Sequence, residues 1–119
     1  MLRVVNATRD RELGNHVWLA NRWWPRLRGL LGRGPLKPGS GMVLDPCKSV
    51  HMFGMKYSLD VVFVNAEGEV VAMYPKLDPG KRTPWHKPAR KAIELPVGTL
   101  AATGTEVGDV VTCQFAEAV

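Results

Sequence analysis

The sequence has little cysteine and no long apolar run. Cys47 and Cys113 are its only cysteines, which excludes a disulfide framework and makes reduced thiols the expected state. No window approaches the roughly 18 uninterrupted apolar residues of a membrane helix, and the N-terminus lacks the apolar core of a signal peptide. The sequence therefore predicts a cytoplasmic protein without membrane insertion.

Internal repeats and low-complexity linkers are also missing. The chain has 119 residues, of which 45% are apolar and 23% are charged. This length and composition are typical of one ordinary globular domain with its own core. We predict a single domain over residues 1–119.

Positive charge exceeds negative charge, with 16 Lys and Arg against 11 Asp and Glu, a net charge of +5. The cations form two groups, one at Arg22, Arg26, Arg28 and Arg33, and the other at Lys76, Lys81, Arg82, Lys87, Arg90 and Lys91. Such groups are usually solvated surface, but they also favour anionic partners. Polyanion binding through these patches is one alternative function, although the absence of a nucleic-acid motif disfavours nucleic acid.

Short apolar segments predict a β-dominated α+β fold, built on a compact antiparallel or mixed sheet or a partly closed barrel. Strands are expected at 2–7, 16–20, 42–44, 59–64, 69–74 and 110–115, with a turn around Gly14-Asn15 joining the first two. Helices are expected near 22–31, after an Asn21 cap, and near 97–103. Residues 89–95 fit a strand or a helical turn, and the proline-rich stretch 75–88 predicts a long loop.

The strongest predicted strand is 59–64, whose nearly continuous apolar run indicates burial on both faces. Asp60 begins this strand, and a buried carboxylate needs hydrogen bonds or a cation. Lys56, an arginine or backbone amides are the expected partners.

Cys47 and His51 are four residues apart, a spacing that places two side chains on one side of a helix or a strand. The pair can touch if the segment is helical or turned, because neighbouring helix positions lie about 5–6 Å apart. It cannot react directly if the segment is extended, since four strand residues span roughly 13 Å. Catalysis by Cys47 and His51, oriented by Asp60 or Glu94, therefore depends on the conformation of this segment.

Soft-metal binding is the second chemistry that Cys47 and His51 suggest, together with Met52 and Met55. The second ligand pair that makes zinc motifs persuasive is missing, and an inert Cys47 with methionines as core fillers is the favoured interpretation. No metal and no cofactor are expected.

His86 lies beside Trp85 in the proline-rich stretch, close to Lys81 and Arg82. An aromatic ring among cations can stack on a ligand ring or help to hold a phosphate or carboxylate. The interpretation we favour for Trp85 itself is that it folds back over the core. Glu94 is expected to brace the loop through an arginine.

Several blocks, taken in order, resemble the domain-of-unknown-function-192 family, also called uncharacterised protein family 0127. They are Ala7-Thr8, Arg28-Gly29-Leu30-Leu31-Gly32-Arg33, Gly41-Met42, Met55-Lys56-Tyr57-Ser58-Leu59-Asp60-Val61-Val62-Phe63-Val64, Glu94-Leu95-Pro96-Val97-Gly98 and Val107-Gly108-Asp109. The resemblance implies a compact β-dominated domain whose activity is not established. In the commoner pattern an aromatic residue precedes the methionine and an Asn-Thr pair follows the lysine, whereas here Gly54 precedes Met55 and Tyr57-Ser58 follows Lys56. Any role of that Asn-Thr pair cannot be transferred.

The sequence thus favours a binding or accessory module for a small anionic ligand or a protein partner over an enzyme. We predict that the site forms where the Cys47-to-Met55 segment, the start of the 59–64 strand and the basic loop converge. Its expected ligand-binding residues are His51, Lys56, Asp60, Arg82, Trp85, His86 and Glu94. The oligomeric state is not indicated.

Overall fold

The computed structural model describes residues 1–20 and 34–115, which form seven strands and one short helix. The strands are β1 (Leu2–Asn6), β2 (Arg11–Ala20), β3 (Ser40–Leu44), β4 (Leu59–Val64), β5 (Val70–Leu77), β6 (Lys91–Leu95) and β7 (Val111–Phe115), and the helix is α1 (Thr99–Thr103). They form one sheet in the order β5-β4-β6-β3-β2-β1-β7. Only the β2–β3 pair is parallel among the described strands. The β-dominated, mixed-sheet prediction is confirmed; the helix predicted at 22–31 lies outside the described residues.

Strand β4 lies inside the sheet between β5 and β6, and all six of its residues are buried. Val62 and Val64 belong to a core cluster that includes Leu100 of α1, and we call this side of the sheet the helix face. Leu59, Val61 and Phe63 belong to a second cluster, on what we call the loop face, which also contains Val50 and Met52 from the segment after β3. Burial of β4 on both faces, predicted from its apolar run, is confirmed.

Strands β1 and β2 form the predicted antiparallel hairpin, but the turn lies at residues 7–10 instead of at Gly14-Asn15. The prediction of that turn was wrong because Gly14 and Asn15 lie within β2, where the pairing with β1 is irregular. Both Asn15 and His16 donate their backbone N–H to the carbonyl of Gly39 at 2.9 Å. The N-terminal part of β2 therefore pairs with β1 in antiparallel orientation, and its C-terminal part, from His16 onward, pairs with β3 in parallel orientation.

The predicted loop 75–88 is shorter at its start, because β5 continues to Leu77. Pro75 fits within this strand since β5 lies at the edge of the sheet, where a residue without a backbone N–H removes no ladder bond. The alternatives for 89–95 are resolved in favour of strand β6, and α1 confirms the helix predicted near 97–103.

The two edges of the sheet approach each other at one end, so the sheet curls into a half-barrel. Glu69 forms an isolated bridge with Val110, and Val111 donates its N–H to the carbonyl of Gly68 at 2.8 Å. Nearby, Asp109 accepts hydrogen bonds from Asn6 and Arg9 at 2.9 and 3.0 Å. Those bonds lower the pKa of Asp109 to about 2, with the Asn6 bond as the largest cause.

Substitution of Gly68 tests this closure. Gly68 has a φ of 84°, and an added Cβ would lie 2.4 Å from the Val111 carbonyl oxygen. We expect Gly68→Ala to lower the free energy of unfolding by about 2 kcal/mol, because backbone strain and a backbone clash combine. Urea denaturation measures the loss, and Gly80→Ala is the matched control, since Gly80 has a φ of 81° with nothing within 4 Å. Equal losses in the two variants would mean that the contact with Val111 is unimportant.

Candidate functional site

Two irregular segments, residues 48–53 and 80–86, run antiparallel beside the loop face. His51 and Arg82 form a β-bridge. Thr83 donates its N–H to the Val50 carbonyl at 2.8 Å, and Met52 donates its N–H to the Lys81 carbonyl at 2.7 Å. Because bridged residues place their side chains on the same side, this pairing brings the imidazole of His51 and the guanidinium of Arg82 to one surface.

The paired segments alternate between core and solvent. Val50, Met52 and Thr83 are buried, whereas His51 and Phe53 are exposed. Such a period of two is the pattern of an extended strand in contact with a core on one side. The core contacts of Val50 and Met52 therefore fix which side chains of this segment face outward.

The outward side chains line a groove of about 630 Å³, which lies within the size range of small-molecule sites. Residues 49–51 and Phe53 form one part of its lining, and residues 82–85 form the other. None of the described residues that line it carries a carboxyl group. The groove therefore combines a guanidinium and an imidazole with aromatic surface.

Two aromatic side chains of this groove are largely exposed. Phe53 is 52% exposed and stacks on His51, with ring centroids 5.1 Å apart and an interplanar angle of 26°. Trp85 is 69% exposed, so the favoured expectation that it folds over the core was wrong. Its neighbour His86 takes the inward position instead. Phe53 was missed as a lining residue, although its two-residue spacing from His51 could have indicated a shared face.

His86 is directed into the loop face, away from the groove-lining residues. Its ring lies 4.8 Å from that of Phe63, and its Nε2 atom is 2.6 Å from the hydroxyl of Tyr74. The backbone N–H of His86 donates to the Lys48 carbonyl at 2.8 Å. Partial burial raises the pKa of Tyr74. His86 thus attaches the basic loop to β5.

Asp60 lies on the helix face, separated from the groove by the sheet itself. Its carboxylate accepts three backbone N–H bonds, from Lys76 at 2.9 Å, Gly98 at 3.1 Å and Leu100 at 2.9 Å. The side chain is 1% exposed. Backbone amides are therefore the partners of this buried carboxylate. They were one of the three expected partners, the others being Lys56 and an arginine.

Glu94 is buried in β6 and faces the loop face between Met42 of β3 and Val61 of β4. It is 4% exposed, and its Oε1 atom has no hydrogen-bond partner among the described residues. Burial raises its pKa to about 7. The expected arginine brace is not formed by the loop's described arginines, since Arg82 lines the groove and Arg90 pairs with Asp45 at 2.8 Å.

Cys47 and His51 have different neighbours. The Cys47 thiol donates to the Ser49 carbonyl at 3.0 Å, while the His51 ring stacks on Phe53. The extended pairing described above includes residues 50–52, whereas Lys48 lies at a bend. Within residues 1–20 and 34–115, no group of three or more His, Cys, Asp or Glu side chains is placed to hold a metal ion.

Three of the seven predicted ligand-binding residues therefore meet at one groove: His51, Arg82 and Trp85. Asp60 lies on the opposite side of the sheet, and His86 and Glu94 face the core of the loop face. Lys56 is exposed outside the groove lining. The Cys47-to-Met55 segment and the basic loop lie side by side, whereas the start of β4 does not join them, because the backbone amides of Lys76, Gly98 and Leu100 hold Asp60.

Comparison with known proteins places this fold among uncharacterised relatives. The model of the DUF192 family, described as "Uncharacterized ACR", matches residues 4–113. The chain is 31% identical to a UPF0127 protein of Pyrococcus furiosus, over 89% of this chain and 93% of that protein. It is 30% identical to a UPF0127 protein of Thermococcus sibiricus, over 96% of this chain and 76% of that protein.

A crystal structure of a protein of unknown function from Novosphingobium aromaticivorans has the same fold. It superposes with a TM-score of 0.77 at 22% identity, and the match covers 93% of this chain and 82% of that chain. In the part of this chain that the structure describes, no helix is long and apolar enough to cross a membrane. The family match over residues 4–113 and the curated relatives agree, and the chain belongs to the DUF192 (UPF0127) family.

Proposed function

We propose that this protein is a binding module for a small anionic ligand, which occupies the groove between residues 49–53 and 82–85. The observation that carries the proposal is the His51–Arg82 bridge, which presents an imidazole and a guanidinium on one concave surface. Arg82 forms no ion pair or hydrogen bond with the described residues, so its five N–H donors are available. A planar guanidinium of this kind suits a carboxylate or a phosphate.

The surroundings of the groove favour negative charge further. Lys81 and Lys87 are exposed on the same loop, and Lys48 donates to the carbonyls of Lys87 and Ala89, which fastens the loop in place. Two core contacts, those of Val50 and Met52, fix the opposite wall. A preformed site binds more tightly because less side-chain and loop freedom is lost on association.

A catalytic role for Cys47, His51 and Asp60 has less support. The Cys47 thiol donates to a carbonyl, the His51 ring stacks on a phenyl ring, and the Asp60 carboxylate accepts from three backbone amides. A nucleophile and its base need to approach within hydrogen-bond reach. The binding module is therefore the function we favour over an enzyme.

The test is an NMR titration of the isotopically labelled protein with acetate, benzoate and inorganic phosphate at low ionic strength. We expect saturable shifts of amide resonances in residues 49–53 and 82–85 with at least one of these anions. Arg82→Ala should weaken binding about fivefold, because an exposed charge pair contributes about 1 kcal/mol.

Arg11→Ala is the matched control, since Arg11 is an exposed arginine of β2 outside the groove. It should leave the apparent Kd unchanged. Anion-induced shifts that are absent from the groove, or that respond equally to Arg82→Ala and Arg11→Ala, would contradict the proposal.

A further inference from the structure

We infer that the groove selects anions that carry a flat aromatic ring, with the ring stacked on Phe53 or Trp85 and the oxyanion held by Arg82. This inference rests on the proposed function and narrows the class of ligand. The shared chemistry is an aromatic ring bonded to a carboxylate or a phosphate.

The first argument is the exposure of the two rings. Phe53 and Trp85 leave half or more of their surface exposed, at 52% and 69%, and neither belongs to the buried core of the described residues. Both line the same groove, beside the only two cation-forming side chains of its described lining, His51 and Arg82. Large rigid rings that remain exposed beside an arginine are the residue types that supply most of the binding free energy at recognition sites.

The second argument is the arrangement around the bridge. Phe53 follows His51 by two residues and already lies against its ring, while Trp85 follows Arg82 by three residues on the antiparallel segment. Antiparallel pairing takes the two segments in opposite directions from the bridge, so an aromatic surface lies on each side of the His51–Arg82 pair. A ligand ring can therefore contact a protein ring while its anionic group remains at Arg82.

The third argument is energetic. A bare anion on an exposed cation gains at most about fivefold in affinity, which does not distinguish one anion from another. Aromatic pairs strengthen binding about two- to twelvefold beyond the effect of the area that they bury. Ring stacking, not charge, therefore decides which anions the groove retains.

Matched ligands test the ring directly. Benzoate is compared with cyclohexanecarboxylate, and phenyl phosphate with cyclohexyl phosphate, so that charge and approximate size are held constant within each pair. We expect the aromatic member of at least one pair to bind about fivefold more tightly than its saturated counterpart. Its ring protons should move upfield on binding, which is the signature of a stacked geometry. The pair with the larger difference identifies the anionic group.

Matched variants assign the effect to the groove. Trp85→Leu and Phe53→Leu keep an apolar side chain but remove the ring, and at least one should abolish the aromatic preference. Phe115→Leu is the control, because Phe115 is a 75% exposed ring on β7 outside this groove. Thermal denaturation confirms that each variant is folded.

The outcomes separate this inference from the proposed function. Equal binding within both pairs, with dependence on Arg82 retained, would overturn the aromatic selection while leaving anion binding intact. An aromatic preference that survives in both leucine variants would also overturn it, because the ring would then stack elsewhere. Absence of any Arg82-dependent binding would overturn the proposed function itself.

Discussion

Asp60→Ala is expected to lower the free energy of unfolding by about 4 kcal/mol, the largest effect of any single substitution considered for this protein. The carboxylate joins three parts of the fold, since it accepts from Lys76 in β5 and from Gly98 and Leu100 at the start of α1. Its removal leaves three N–H donors without their acceptor, and each buried donor left unpaired costs about 1–3 kcal/mol. Urea denaturation at neutral pH measures the loss.

Asp78→Ala is the control for Asp60. Asp78 is exposed and accepts one described side-chain bond, from the Ser58 hydroxyl at 2.6 Å. We expect its substitution to cost less than about 1 kcal/mol. If the Asp60 and Asp78 variants were equally stable, the three backbone bonds of Asp60 would not contribute to folding as the structure indicates.

The second large effect is a pH dependence that originates in Glu94. Burial raises the pKa of Glu94 from 4.5 to about 7, so between these values the folded protein retains a proton that the unfolded chain has released. The resulting stabilisation is complete below about pH 4.5 and is lost as the pH rises through about 7. A pKa difference of one corresponds to about 1.4 kcal/mol, which gives a total loss of about 3 kcal/mol by about pH 9.

Glu94→Gln removes the titration and should remove this part of the pH dependence. The measurement is the free energy of unfolding between pH 5 and pH 9, for the wild type, Glu94→Gln and the exposed control Glu67→Gln. We expect the wild type and the Glu67 variant to lose stability in parallel as the pH rises, and the Glu94 variant to do so much less. Parallel profiles for all three proteins would show that Glu94 is not the responsible group.

The sequence predicted the strands well where their apolar pattern was unambiguous. The run at 59–64 predicted a strand buried on both faces because all but one of its side chains are apolar. The exception is Asp60, whose carboxylate is fully hydrogen-bonded. The turn at Gly14-Asn15 was misplaced because a bulge inside a strand and a hairpin turn favour the same residue types. Only the partner strand distinguishes them, and the pairing of β2 with β3 depends on residues more than 20 positions away.

For a related reason, the sequence indicated two segments of the candidate site but not the orientation of their side chains. Local composition identified the basic loop and the Cys47-to-Met55 segment, but it could not show which of two adjacent aromatic residues faces solvent. The orientations of His86 and Trp85 are the reverse of those we expected. His86 faces the core, where its ring contacts the hydroxyl of Tyr74, and the indole of Trp85 is exposed. Likewise, the separation of Asp60 from the groove depends on α1, which follows it by almost 40 residues.

The pairing of β1 with β7 has a consequence for synthesis on the ribosome. Leu2 pairs with Phe115, so β1 acquires one of its two neighbours only after the more than 100 residues between the two strands have been synthesised. Contacts of such long sequence separation form slowly, and chains with unpaired strand edges are prone to aggregate. In a nascent chain, one edge of β1 therefore stays unpaired until β7 has emerged, so this sheet is completed only late in the synthesis of the domain.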